Sequence, residues 1–131
     1  MSLIKISPDF ERARNILGIA NLIEERIKMQ DKTKMAGLIL VDYYEIIKEL
    51  ATAVLLIHGY KTLSHVELIE YVKKKSLGFS SQELSFLDDL RILRNRISYE
   101  GFKVDCFYLE RNEKFFKGII VKLKNFIEEN L

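Results

Sequence analysis

The sequence predicts an all-α fold, an up-and-down bundle of about five helices, and three observations carry that expectation. Apolar residues recur at three- and four-residue spacing along most of the chain, and no segment alternates convincingly with period two. Cap and stop residues bracket successive apolar runs. The single proline, Pro8, stands near the start and leaves the remainder free to form long helices. With 131 residues, 48% hydrophobic and 31% charged, the chain has the balance of one soluble domain over residues 1–131. It is long enough to bury a core without disulfides or metal.

The first helix is expected from about Pro8 to Met29. Ser7 would be its cap and Pro8 its first residue, with Asp9 in the first turn and Ala13, Ile16, Ala20, Ile23 and Ile27 on one face. After Gln30-Asp31-Lys32, Thr33 is a candidate cap for a second helix ending near His58, with Gly59 as its stop. Its polar positions Asp42, Glu45 and Glu49 lie along one side and most of the rest is apolar, which makes it the expected central helix. Ser64-His65-Val66-Glu67 and Ser80-Ser81-Gln82-Glu83 both match the capping box, opening a short third helix and a fourth from Ser81 to about Tyr99. Gly101 is the next stop. Asp105 can cap a fifth helix whose stripe is Phe116, Ile119, Ile120, Leu123, Phe126 and Ile127.

Short loops favour antiparallel neighbours. Tyr43, Tyr44, Phe107 and Tyr108 are more aromatic bulk than one small core is expected to hide, so a homodimer is the default expectation. The longest strongly apolar run, Leu50 to Ile57, is far too short to cross a bilayer. The opening residues lack the apolar core of a signal peptide. One cysteine, Cys106, cannot form an internal disulfide. Together these point to a cytoplasmic protein without a membrane partner.

A net charge of +2 is too small to announce nucleic-acid binding. Lys73-Lys74-Lys75 and the lysines at 114, 117, 122 and 124 read as solvated helix faces, with a phosphate-facing surface as the alternative.

The segment Leu90 to Gly101 carries the most information. At about 100° per residue, Phe86, Leu90, Leu93 and Ile97 form the core face of the fourth helix. Arg91, Asn95 and Tyr99 succeed one another at i, i+4 spacing and are expected opposite it. Arg94 falls on the border, where packing would hold its five-donor fork in a geometry suited to phosphate. Ordinary capping chemistry and arginine stems flanking a core would produce much of this pattern as well.

Arg94-Asn95-Arg96-Ile97-Ser98-Tyr99, followed by Gly101, resembles the signature of HEPN domains: arginine, a polar residue, three variable residues, then histidine. The placement agrees, on the penultimate helix of a five-helix chain. The resemblance implies a dimer whose motif helices meet across the two-fold axis to form a composite cleft. It also implies metal-independent action on RNA of the toxin–antitoxin or RNA-processing type, and a minimal nucleotidyltransferase as possible antitoxin partner. Carried over, Arg94 would bind the scissile phosphate and Asn95 would orient it. Tyr99 stands where the histidine belongs, completing the candidate catalytic set. Arg91, Arg96 and Ser98 are the candidate substrate-binding residues beside them.

The tyrosine alters the chemistry. A phenol with a reference pKa of about 10 is protonated at pH 7 and makes a poor general base. RNA binding with weak or no cleavage is therefore expected. The alternatives are a catalytically inactive module that pairs with a minimal nucleotidyltransferase, and an unrelated structural bundle.

No other constellation supplies a cofactor or metal site. Gly-rich phosphate loops, dinucleotide fingerprints and Glu-x-x-His pairs are absent from the sequence. His58 and His65 lack a companion cluster of cysteines or carboxylates. His58 is expected at a helix end favoured by the dipole, and either histidine standing in for the missing one is a minor alternative. Cys106, at the start of the last helix, reads as a small apolar residue.

Overall fold

A computed structural model describes residues 3–75 and 77–131. Its helices are α1 (Phe10–Lys28), α2 (Ala36–His58), α3 (His65–Lys74), α4 (Ser81–Glu100) and α5 (Cys106–Glu129). The fold is an all-α bundle. To it the structure adds one element the sequence pattern did not announce, a two-stranded antiparallel ladder of β1 (Ile4–Lys5) and β2 (Tyr60–Lys61). Two residues per strand are too few to register as alternation.

Helix α2 is the axis of the molecule. Ile39, Leu40, Ile46, Ile47, Leu50, Leu55 and Leu56 are all essentially inaccessible, and α2 touches each of the other four helices. α1 lies along it most extensively, with the small side chains Ala13 and Ala20 fully buried. From α5, Phe116 stacks on Tyr43 at 4.6 Å and meets Phe86 of α4 edge-on at 4.9 Å. Tyr43 and Tyr44 are thus absorbed by the core, contrary to the expectation that drew on them for a homodimer; Phe107 is exposed and Tyr108 half-buried.

Several ends follow the expected chemistry. Ser80 and Glu83 form the reciprocal capping box, and the Ser64 and Asp105 side chains accept from Glu67 N and Tyr108 N. Gly59 and Gly101 end α2 and α4 in the left-handed region, at φ 82° and 68°.

Two starts differ. Helix α1 begins at Phe10, capped by Asp9 rather than Ser7, because the Asp9 N–H is bonded to the Leu56 carbonyl at 3.0 Å and holds the preceding residues outside the helix. Thr33 does not cap α2. Asp31 Oδ1 accepts from Thr33 N and Lys34 N in a local turn, and α2 starts after Met35 without a side-chain cap.

Asp42, Glu83 and Glu113 are the buried acids among the described residues, and each is paired. Arg26 donates to Asp42 through Nε at 3.0 Å and Nη2 at 2.8 Å. Glu83 holds Lys122, and Glu113 accepts from Tyr43 and Lys32, both at 2.7 Å. Among the described residues no helix is long and apolar enough to cross a membrane.

The N-terminal strap meets α2 at Gly59, where a Cβ would fall 2.9 Å from the Ile6 carbonyl oxygen at a φ of +82°. Gly59→Ala should therefore cost about 1–3 kcal/mol. Urea unfolding should show an earlier midpoint with unchanged slope, and an unmoved midpoint would contradict the strain.

Candidate functional site

Three of the six sequence-chosen residues converge on one guanidinium. Arg94 Nη1 donates to Asn95 Oδ1 and to the Tyr99 hydroxyl, both at 3.2 Å, while Nη2 donates to Glu45 Oε1 of α2 at 3.3 Å. The guanidinium carbon also lies 5.5 Å from the ring centres of both Tyr44 and Tyr99. Arg94 Nε is buried and makes no hydrogen bond among the described residues. Its side chain is 18% exposed, against 75% for Tyr99, which forms the outer wall.

The three hydrogen bonds are long for a charged donor, which usually approaches oxygen at about 2.7–2.9 Å. Glu45 is shared, since its Oε2 holds Lys48 at 2.8 Å. Arg94 is therefore positioned by rings and helices more than by its ion pair.

Arg91 and Asn95 are only half-exposed, so their row flanks α2 rather than facing away from the core; Asp88, Asp89, Ile92 and Arg96 take the outer side. The i, i+4 alignment is kept, but the helix is rotated relative to the simple two-face picture because Leu87 is buried with Phe86 and Leu90. Arg91 makes no ion pair among the described residues. Arg96 turns away and packs over the Phe102 ring at 4.0 Å, in a cleft of about 490 Å³ that also includes Asp89, Lys103, Asp105 and Arg111. Ser98 is exposed and does not join the Arg94 group.

The basic runs are largely engaged elsewhere. Lys73 pairs with Asp88 at 2.7 Å and Glu70 at 3.3 Å, Lys122 with Glu83, and Lys124 with Glu24. Lys75 sits over the Tyr71 ring.

The two histidines separate. His58 Nδ1 lies 2.7 Å from the Tyr71 hydroxyl and its ring meets Phe126 edge-on, so packing governs it. His58 is the last residue of α2, the helix end where the sequence expects it, and burial, with Lys75 nearby, lowers its pKa and favours the neutral form. His65, the first residue of α3, has Nδ1 3.4 Å from the Tyr44 hydroxyl. Its pKa is lowered by burial first, then by Lys48, Arg94 and Arg91, against Glu45. Burial likewise raises the Tyr44 phenol, opposed by Arg94 and Lys48.

Tyr44, Glu45, Lys48 and His65 thus belong to the neighbourhood of Arg94; of these the sequence had offered only His65, as a minor alternative to the missing histidine. Glu45 had a signal in the polar side of α2, whereas the approach of α3 that brings His65 to Tyr44 is a tertiary fact. Among the described residues no three His, Cys, Asp or Glu side chains group as a metal site. Cys106 is half-buried behind the Asp105 cap. The chain matches no family model and no curated protein.

Stability should fall in two pH windows. Because both histidines have lowered folded pKa values, the unfolded chain takes up protons first as pH falls through 6.5, and stability declines there. Burial alone would raise Glu83 and Glu113, but Lys122 with Ser80, and Lys32 with Tyr43, hold them below the ordinary 4.5. Their contribution persists until pH drops below that value. Chemical denaturation across pH should show the first decline reduced in His58→Gln and the second retained.

Proposed function

We propose that this chain is a cytoplasmic, dimeric, HEPN-like protein of toxin–antitoxin or RNA-processing type that binds RNA through Arg94, with Asn95 and Tyr99, in a cleft shared by two copies. The convergence of Asn95 and Tyr99 on one guanidinium supports this reading most directly. A fork held between two tyrosine rings loses little freedom when it meets a phosphate, and it presents donors in the planar geometry a phosphate accepts. The exposed Tyr99 ring beside it suits stacking on an unpaired base, which makes single-stranded RNA the favoured ligand.

Glu45 competes with that phosphate. Its second oxygen already rests on Lys48, so surrendering Arg94 leaves the carboxylate partnered rather than stranded. Arg91, free of ion pairs among the described residues, adds a second positive charge along the same flank.

A second reading draws on the cleft beside Arg96. Ile92 and Phe102 are exposed there, and Phe107 stands exposed at the start of α5. In that reading the chain is an inactive module that pairs with a minimal nucleotidyltransferase. Retention of such an enzyme by the wild type and by Arg94→Ala alike, with no RNA bound, would favour it.

Fluorescence anisotropy with single-stranded RNA tests the first reading. Arg94→Ala should weaken binding at least tenfold, and the salt dependence of log K should flatten by about 0.7 for each phosphate that is no longer neutralised. Glu45→Gln should tighten binding by removing the competing carboxylate. Sedimentation should show a dimer at the concentrations where RNA binds. Unchanged affinity in Arg94→Ala would defeat the proposal.

A further inference from the structure

We infer that the imidazole of His65 is the general base of this site, taking the 2′-hydroxyl proton of a ribonucleotide whose phosphodiester rests on Arg94, so that the chain cleaves RNA despite Tyr99. The inference deepens the RNA reading above and depends on it.

Geometry is the first support. Tyr44 touches both groups: Arg94 lies over its ring, and its hydroxyl meets His65 Nδ1 at 3.4 Å. The guanidinium of α4 and the imidazole of α3 are therefore one side chain apart, through Tyr44 of α2. Tyr44 is buried while His65 is exposed, so the ring that orients the pair belongs to the core and the imidazole remains open to a polymer. His65 is also fixed from behind. Ser64 caps α3 by accepting from Glu67 N at 3.3 Å and donates its own N–H to Thr62 Oγ1 at 3.1 Å.

The surroundings set its protonation. Facing it are Tyr44, Glu45 and Lys48 from α2 and Arg91 and Arg94 from α4; Arg12 of α1 and Glu49 of α2 line the cavity of about 330 Å³ at its side. Burial and this cationic majority keep the ring neutral at pH 7, the form a base requires. When Nδ1–H donates to the Tyr44 oxygen, Nε2 keeps its lone pair for the substrate. Tyr44 is then a positioning residue. The raised pKa of its phenol, caused by burial, keeps it from ionising in that role.

The step balances without metal or oxidant. His65 Nε2 takes the 2′-hydroxyl proton, the 2′-oxygen bonds to phosphorus, and the phosphorus–5′-oxygen bond breaks. Water protonates the departing 5′-oxygen, and the resulting hydroxide takes the proton back from the imidazolium. A 2′,3′-cyclic phosphate and a 5′-hydroxyl result. Arg94 holds the charge on the non-bridging oxygens throughout.

The experiment uses the full chain, a fluorescent single-stranded RNA of mixed sequence, and the same RNA with 2′-O-methyl groups, all in chelator. Wild type should cleave the first and only bind the second. His65→Gln should slow cleavage by about 10²-fold or more while RNA affinity stays within a few fold. It should also erase the limb of the pH–rate profile that rises toward 6.5, and imidazole should restore activity to His65→Ala. His58→Gln, outside the site, should keep the wild-type rate, and circular dichroism should show each variant folded. Equal rates in folded His65→Gln and wild type, or tight binding with no cleavage by wild type, overturn the role of His65 and leave RNA binding standing. Failure of the wild type to bind RNA overturns the parent reading itself.

Discussion

The burial of α2 on nearly every side is the constraint from which the rest follows. Each fully buried leucine or isoleucine contributes about 1.5–3 kcal/mol of transfer free energy, and α2 supplies many of them. A helix so enclosed has little outer surface on which to place charge, so its polar residues must lie in the seams between neighbours. Asp42 lies in the seam with α1 and is met by Arg26 and Gln30. Glu45 and Lys48 lie in the seam reached by Arg94. Arg94 is drawn inward by the same demand.

The two arginine–carboxylate pairs show how differently that demand is met. Arg26 grips Asp42 with two short bonds, and Gln30 adds a third at 2.7 Å. Arg94 makes only long hydrogen bonds to three separate oxygens and leaves a buried Nε without a bond among the described residues. An unsatisfied buried donor costs about 1–3 kcal/mol. A purely structural arginine at this place would be expected to settle as Arg26 has. Arg94 thus rests on long bonds beside one buried ring, Tyr44, and one exposed ring, Tyr99, and it is held less firmly by its carboxylate than Arg26 is.

Much of the architecture was legible because helix ends are written locally. Ser80-to-Glu83, Gly59, Gly101 and Asp105 each act within a few residues of themselves, and each behaves as its type demands. Ser7 and Thr33 failed as caps because distant or neighbouring groups claimed the backbone first: Leu56 took the Asp9 N–H, and Asp31 folded its own turn. Tyr43 and Tyr44 are hidden because a 23-residue central helix offers more interior than a flat count of rings suggests, while Phe107 remains exposed. Within the site, the relation of Arg94 to Asn95 and Tyr99 lies on one helix and could be anticipated from spacing. Its relation to Tyr44, Glu45 and, through Tyr44, His65 depends on how α2, α3 and α4 meet, which no single segment encodes.

Under the HEPN-like proposal, that division bears on how a tyrosine can stand where the family's signature has histidine. In a site built along one helix, the loss of the imidazole removes the only group able to exchange a proton near neutrality. In a site built where three helices meet, the proton-accepting group need not sit on the phosphate-binding helix at all. The requirement is an imidazole within reach, neutral at working pH and oriented by a third group. His65 has an orienting partner in the Tyr44 hydroxyl and surroundings that favour the neutral ring. Tyr99 is then released from proton transfer to serve as wall and hydrogen-bond acceptor for Arg94, roles for which a phenol is well suited and an imidazole, when charged, is not.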